Sequence, residues 1–384
     1  MSERIPFNLP TIHGAELEHV AAAIASGQTG GGGIFSDLAS SLLVEELGAS
    51  EVILTTSCTD ALELAALLIG LGPGDVVVVP SFTFVSTALA FTRTGAMLRF
   101  ADVDPDTLGI AADTVEPLLD ERVKAIVPVH YGGIGVDMDP LVDLTTSWSI
   151  DLVEDNAHGL FGTYRDRPLG SFGRFAALSF HETKNFVCGE GGALVLNRPE
   201  DVERAHILCD KGTNRRAFDA GTVDHYTWID TGSSFRLSDL LAAFLVGQLE
   251  CREQILGLRQ TAWESYDQLL SPHREELGLQ TMVIPSDRTS SWHMYPVLLP
   301  SQRVRDFVID RLVADAIHAT FHYVPLHSSP AGRRATDITT DCPTTDDVSG
   351  RLIRLPFFNS ISTDQIQRVV DSLLSAVREA HRHP

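Results

Sequence analysis

The chain has 384 residues, 44% hydrophobic and 21% charged, with a net charge of −22 at pH 7 and a pI of about 4.9. That charge excludes a nucleic-acid or anionic-membrane surface as the main partner, while leaving room for a nucleotide at a local positive site. No apolar run reaches the roughly 20 residues of a membrane span, the start MSERIPFNLP lacks a signal-peptide core, and the five cysteines, without a CxxC pair, read as reduced thiols of a cytoplasmic protein.

Residues 15–26 read as a helix, which Gly27–Gly33 (GQTGGGG) breaks. No strand precedes these glycines and no Lys-Ser/Thr follows them, so a P-loop is not supported; a flexible loop in reach of substrate is expected. Ser36 is placed to cap a helix ending near Leu47, with Asp37 in its first turn. Glu51–Thr55 is a short strand, followed by Ser57-Cys58-Thr59-Asp60 and the apolar helix ALELAALLIGL. A Ser/Thr-rich turn at a helix start aims free N–H groups and the helix dipole at one point, an anion site; simple capping explains the same residues equally well. Val76–Val79 has no alternation, as in a parallel strand covered on both faces. Pro80-Ser81-Phe82-Thr83-Phe84 ends it, and residues 85–94 are helical.

Met97–Val103 follows as a strand, Ala112–Asp120 as a helix, and Val123–Val129 as a strand ending at His130. Residues 139–147 are helical, and the strand Ile150–Val153 ends in Glu154-Asp155-Asn156-Ala157-His158. Strands alternating with helices at this spacing give an α/β fold with a mostly parallel, doubly wound sheet. Ligands of such sheets bind beyond the carboxyl ends of the strands. One edge therefore gathers Thr55–Thr59, Pro80–Phe84, His130 and Asp155–His158, although the two histidines read equally well as ordinary hydrogen-bonded ones.

The stretch Phe175–Leu196, FAALSFHETKNFVCGEGGALVL, organises the rest. Two buried-looking runs, Phe175–Phe180 and Ala193–Leu196, flank a short connection bearing Lys184, the only lysine between Lys124 and Lys211. A lysine held there is partly desolvated, which lowers its pKa and makes the amine a usable nucleophile or base. Gly189, Gly191 and Gly192 imply close backbone approach or positive φ. Residues 199–210 are helical, and a polar segment with Tyr226 and Trp228 then runs from Lys211 to about Ser234. Its length marks it as functional. Ser238 caps a helix from Asp239 to about Leu256, with further helix to about Leu270 and an irregular stretch over 271–291. His293–Leu299 is a strand and Ser301–Asp315 a helix. In FHYVPLHSSP (321–330), His322, Tyr323 and His327 look like metal ligands, but no cysteine or carboxylate completes a usual set, so no metal is expected. RLPFF and a last helix, 363–381, close the chain.

SFHETKN followed by GEGG resembles the lysine-bearing segment of the DegT/StrS-type nucleotide-sugar aminotransferases. The likeness runs from IPFN (Ile5–Asn8) to RLPFF, ending at Phe358, and within the family it is greatest to the WecE-type transaminases of dTDP-4-oxo-6-deoxy-D-glucose. The resemblance implies the aspartate aminotransferase fold (fold type I of the pyridoxal phosphate enzymes). Residues 1–250 would form the large cofactor-binding domain with an N-terminal arm, and residues 251–384 a small α+β domain. It implies pyridoxal 5'-phosphate (PLP, alternating with its pyridoxamine form) attached through Lys184. Cys58 and Thr59 would hold the phosphate, mainly through backbone N–H groups, together with Ser179. Phe84 would stack on the pyridine ring, and His158 would contact the cofactor's 3-oxygen or nearby substrate. Asp155 would sit against the ring nitrogen, where a carboxylate keeps the nitrogen protonated. The family pattern at that strand end is E-D-A-A-Q/H; Asn156 departs from it. His181, His322 and Tyr323 are expected beside the sugar. Segment 211–234 would cross a homodimer interface, and Ser234, in Gly232-Ser233-Ser234-Phe235-Arg236, replaces the asparagine that reaches the partner's phosphate.

The implied reaction moves an amino group from L-glutamate to C4 of TDP-4-oxo-6-deoxy-D-glucose by a ping-pong route, giving a TDP-4-amino-4,6-dideoxyhexose and 2-oxoglutarate. Related 3-dehydratases carry histidine where this chain has Lys184, so amino transfer is favoured. A 3-aminotransferase on a TDP- or UDP-3-oxo sugar, and a catalytically silent binding protein of the same fold, are the alternatives. A dinucleotide-dependent oxidoreductase fails for want of a G-x-G-x-x-G at the first strand–helix turn.

Overall fold

A computed structural model describes residues 3–382. The main sheet contains β1 (Glu51–Thr55), β2 (Val76–Pro80), β3 (Met97–Ala101), β4 (Val123–Ile126) and β5 (Asp151–Asp155). After a small hairpin, β6 (Thr163–Tyr164) and β7 (Arg167–Pro168), it is completed by β8 (Phe175–Ser179) and β9 (Gly192–Leu196). The order is β1-β9-β8-β5-β4-β2-β3. β9 runs antiparallel to both neighbours, and the other pairs are parallel.

The unbroken Val76–Val79 run has the reason expected of it. Val77 and Val79 pack into the core that includes Leu62 and Phe91, while Val76 and Val78 pack on the opposite face with Met138 and Leu141. Burial on both faces removes the need for polar alternation. Helix α1 (Glu16–Ser26) precedes α2 (Ile34–Leu47); α3 (Cys58–Ile69) and α4 (Val85–Thr92) follow β1 and β2.

The C-terminal body is built on a second, antiparallel sheet. β10 (Gln280–Thr281), β12 (Pro296–Leu298), β14 (Leu352–Arg354) and β13 (Thr320–Phe321) lie in that order, while β11 (Arg288–Thr289) extends the β6–β7 hairpin. Helices Arg252–Leu270, Gln302–Ala314 and Thr363–Arg382 pack over it. The last buries Ile366, Val369, Val370, Leu373, Leu374 and Val377, a helical stripe facing one core. The chain's start joins this body too: Ile5 pairs with Ile317, and Phe7 accepts from Phe357 N at 3.0 Å.

Five local expectations are corrected. Ser36 lies inside α2 and caps nothing; the N–H groups of Phe35 and Ser36 point to the Asp239 carboxylate, at 3.4 and 2.7 Å, so the cap comes from a distant helix. The strand from Met97 ends at Ala101, and the helix from Ala112 becomes a 3-10 turn at Glu116, where Pro117 removes a donor. Residues 271–291 hold a short helix, Arg274–Leu277, and two short strands. Finally, the 27–33 loop is anchored at its C-terminal end: a Cβ on Gly31 would lie 2.6 Å from Leu237 O and one on Gly33 would strike Asp239, while Gly27 and Gly30 stand open to solvent.

Candidate active site

A cavity of about 670 Å³ opens at the carboxyl ends of the parallel strands, closed on its other side by the C-terminal body. Lys184 reaches it because β9 turns back beside β8, which leaves residues 180–191 as a tied loop at that edge. Phe180 N donates to Gly191 O at 2.8 Å, Glu182 N to Gly189 O at 2.9 Å, and Lys184 N to His181 O at 2.9 Å. Gly189 has φ +91°, and a Cβ on Gly192 would lie 2.4 Å from Cys58 N, so glycine is required where β9 meets the β1–α3 turn.

That turn caps its helix and also turns open N–H groups toward the cavity. Ser57 Oγ accepts from Asp60 N at 3.0 Å and caps α3. The N–H groups of Cys58 and Thr59, in the first helical turn, have no intrahelical acceptor, and both residues line the cavity. Thr59 Oγ1 donates to Ser86 Oγ at 2.7 Å. Burial pushes the Cys58 thiol well up, so it stands as a neutral S–H. Ser179, at the end of β8, lines the same end of the cavity.

Asp155 ends β5 and is 5% exposed. Its Oδ2 accepts from Thr87 Oγ1 at 2.7 Å and its Oδ1 from Ala157 N at 3.2 Å. No cationic side chain among the described residues lies within 4.0 Å of this carboxylate. Lys184 faces the same space, and burial lowers its pKa to about 8, against the opposing pull of Cys58 and Asp155.

His158 lines the cavity, and His130 does not. His130 is fully buried behind the strand end, with Nε2 3.0 Å from Glu154 Oε2, so it is one of the ordinary hydrogen-bonded histidines. His158 Nδ1 accepts from Gly132 N at 3.4 Å, which leaves the proton on Nε2. Its ring stacks on His293, with centroids 4.2 Å apart. His293 Nδ1 in turn meets Asn185 Oδ1 at 2.8 Å, and Asn185 Nδ2 donates to Ser291 O at 2.6 Å. Burial holds both imidazoles well below their ordinary pKa, hence neutral.

Phe84 stands at the mouth, 56% exposed, whereas Phe82 is core, packed on Tyr131 with centroids 5.1 Å apart. His181, His322 and Tyr323 all line the cavity. His322 Nδ1 shares a hydrogen bond with Tyr131 OH at 2.9 Å. Ser234 is exposed and lies outside this cavity, bridged to Asp210. None of residues 27–33 lines the cavity either. Sequence reasoning missed Thr87, His293 and Arg354. Thr83 and Thr87 carried a signal, being one helical turn apart after a strand end, and RLPFF held a charged residue inside an apolar run.

The model of the DegT/DnrJ/EryC1/StrS aminotransferase family matches residues 10–374. The chain belongs to this family. It is 30% identical, over 391 aligned positions and 98% of each chain, to the spore coat polysaccharide biosynthesis protein SpsC of Bacillus subtilis. Its structure matches the aminotransferase TlmJ of Streptoalloteichus hindustanus with a TM-score of 0.90 and 31% identity, covering 98% of this chain and 100% of that one. The sugar aminotransferase Spr1654 of Streptococcus pneumoniae, solved in PMP and PLP forms, matches at TM-scores of 0.90 and 0.89 with 25% identity, over 98% of this chain and 99% of that one.

The protein is therefore a PLP-dependent sugar aminotransferase of fold type I. Its own residues fit the cofactor. A helix start with open N–H groups suits a phosphate, a carboxylate with no cationic partner suits a protonated ring nitrogen, and a lysine of lowered pKa suits covalent attachment. Bound there, the cofactor supplies an electron sink for the amino-acid and sugar carbons.

Proposed function

We propose that this aminotransferase moves the amino group of L-glutamate to C4 of TDP-4-oxo-6-deoxy-D-glucose, giving a TDP-4-amino-4,6-dideoxyhexose and 2-oxoglutarate. The observation that carries amino transfer is Lys184, its pKa near 8, in one cavity with the Asp155 carboxylate. An amine that loses its proton near neutrality both attaches the cofactor and, once released, moves a proton as base and then acid. The choice of sugar, position and nucleotide follows the WecE-type resemblance of the sequence.

In this reading the N–H groups of Cys58 and Thr59, with Ser179, hold the phosphate, and Asp155 holds the ring nitrogen's proton. Thr87 and Ala157 N aim that carboxylate. His158 offers Nε2–H to the 3-oxygen, fixed in that tautomer by Gly132 N. Phe84 covers the ring from the mouth, and His181, His322 and Tyr323 face the sugar. The division into a cofactor-binding part, 1–250, and a small part, 251–384, would place the sugar between two bodies.

A homodimer belongs to the same proposal. Tyr226, Trp228 and Ile229 stand exposed in the segment before Ser234, Trp228 at 77%, and burying such a surface needs a partner. Ser234 would then reach the second copy's phosphate. Trp228→Glu should shift the protein to monomer in sedimentation velocity and weaken PLP retention; an unchanged dimer removes this interface.

The decisive test mixes the protein with PLP, L-glutamate and TDP-4-oxo-6-deoxy-D-glucose and follows the nucleotide sugar by NMR. An amine at C4 is the expected result, and the ring-proton couplings give its configuration. No turnover of this sugar, with glutamate still bleaching the enzyme's visible absorbance, would discard the substrate and keep the aminotransferase.

A further inference from the structure

The turn Ser291–Trp292–His293 reaches from the C-terminal body to the ends of β4 and β5. Ser291 N donates to Gly133 O at 3.0 Å, His293 N to Gly132 O at 3.3 Å, and Ser291 Oγ to His158 O. Trp292 takes φ +56°; among the described non-glycine residues with positive φ, it alone adjoins a residue of the cavity wall. Arg259 holds this turn, donating from Nε to Trp292 O at 2.9 Å and from Nη2 to His293 O at 2.5 Å. A strained backbone kept in place by buried hydrogen bonds fixes the direction of a side chain, here that of His293.

The side chains continue the arrangement. Ser291 O can only accept, so Asn185 turns its NH2 to it at 2.6 Å and its Oδ1 to His293 Nδ1 at 2.8 Å. His293 therefore carries its proton on Nδ1. Asn185, His293 and His158 are all buried. The bond from Gly132 N to His158 Nδ1 is long at 3.4 Å, and a bond of that length leaves a ring free to tilt. The His293 ring, within 21° of parallel at 4.2 Å, supplies the missing restraint.

We propose that Asn185 and His293 are positioning residues that fix the plane and tautomer of His158, a role that rests on the reading above in which His158 meets the cofactor's 3-oxygen. Asn185 directly follows Lys184, so one relay ties the lysine loop, the C-terminal body and the end of β5. Asn185 orients His293, the face of His293 holds His158, and His158 presents Nε2–H without having to reorganise. The alternative is a plain joint between the two bodies. The backbone bonds of Ser291 and His293 already make that joint, and it needs neither an imidazole in the cavity wall nor an amide aimed at that imidazole.

The test has a cofactor-free arm and a loaded arm. In cofactor-free protein labelled with 15N-histidine, the ring-nitrogen shifts read each tautomer. His293 should show Nδ1–H and His158 Nε2–H. Asn185→Leu and His293→Ala should both move His158 toward a mixture of tautomers. His158 shifts that ignore both substitutions overturn the inference. In the PLP-loaded protein, the pH midpoint of the visible absorbance reads the 3-oxygen. A donor there favours the state with more negative charge on that oxygen, so His158→Phe should raise the midpoint by about one unit or more. His293→Ala should raise it in the same direction, and should add nothing in the His158→Phe background. Full additivity would show a role independent of His158 and overturn the inference. If the His158 shifts respond without cofactor while His158→Phe leaves the midpoint unchanged, the relay stands and the 3-oxygen contact falls. Should His293→Ala misfold by near-ultraviolet circular dichroism, His293→Asn carries the comparison, since it can keep a hydrogen bond to Asn185 but loses the stacking face.

Discussion

Thr87 Oγ1 donates a 2.7 Å hydrogen bond to Asp155 Oδ2, and Thr83 Oγ1 lies 2.8 Å behind it. The two threonines belong to the strand end and helix after β2, whereas Asp155 ends β5, so a neighbouring part of the sheet aims this carboxylate. Thr87→Val keeps the volume and removes the donor. It should cost about 1–3 kcal/mol of stability and lower the amino-transfer rate about tenfold, the worth of roughly 1.4 kcal/mol. Urea midpoints and single-turnover rates check it; wild-type values in both would show that Ala157 N suffices.

Lys184 makes the cofactor-free protein sensitive to pH in a definite direction. Its folded pKa, about 8, lies below the ordinary value of roughly 10.4. Between those values the unfolded chain binds the proton and the folded one does not, so stability rises with pH through that window. Below it both states are protonated, and the burial cost is fully present. Lys184→Met, which removes the buried charge, should therefore melt higher than wild type at pH 7, and the gap should narrow by pH 9.5. A lower melting point at pH 7 would show that the ammonium is well solvated.

Glu154 is a structural anchor beside the site. Its Oε2 takes Gly170 N at 2.7 Å and faces His130, while its Oε1 takes Phe172 N at 2.7 Å and Gly173 N at 2.8 Å. Glu154→Gln must turn an NH2 toward at least one of these N–H groups. We expect a loss of about 3 kcal/mol, read from denaturant unfolding, with PLP affinity changed far less than stability. A loss under 1 kcal/mol would mean that the 170–173 loop is held by other contacts.

Gly192→Ala tests the phosphate turn. The added Cβ would meet backbone, Cys58 N and Ser57 C, both at 2.4 Å, and backbone cannot swing aside. PLP retention on dialysis should fall at least tenfold, with a drop in melting temperature of several degrees. Unchanged retention would place the phosphate elsewhere.

The sequence alone determined the parts whose physics is local. An unalternating valine run marks a strand buried on both faces, and alternation of strands with helices marks a parallel sheet with a ligand edge. A lysine between two buried runs marks a desolvated amine. Motif likeness then singled out Cys58, Asp155 and Ser179, which the structure brings to one cavity, for the roles proposed above. Only the tertiary structure decided what depends on partners far away in the chain. Asp239, not Ser36, caps α2. His130 turns inward to Glu154 while His158 turns to the cavity and stacks on His293. Arg354 stands without a counter-charge because β14 brings it to a cavity whose other wall was built two hundred residues earlier in the chain, roughly the span from Asp155. Hydrogen-bond satisfaction and charge pairing are properties of packed neighbours, and sequence order does not list those neighbours.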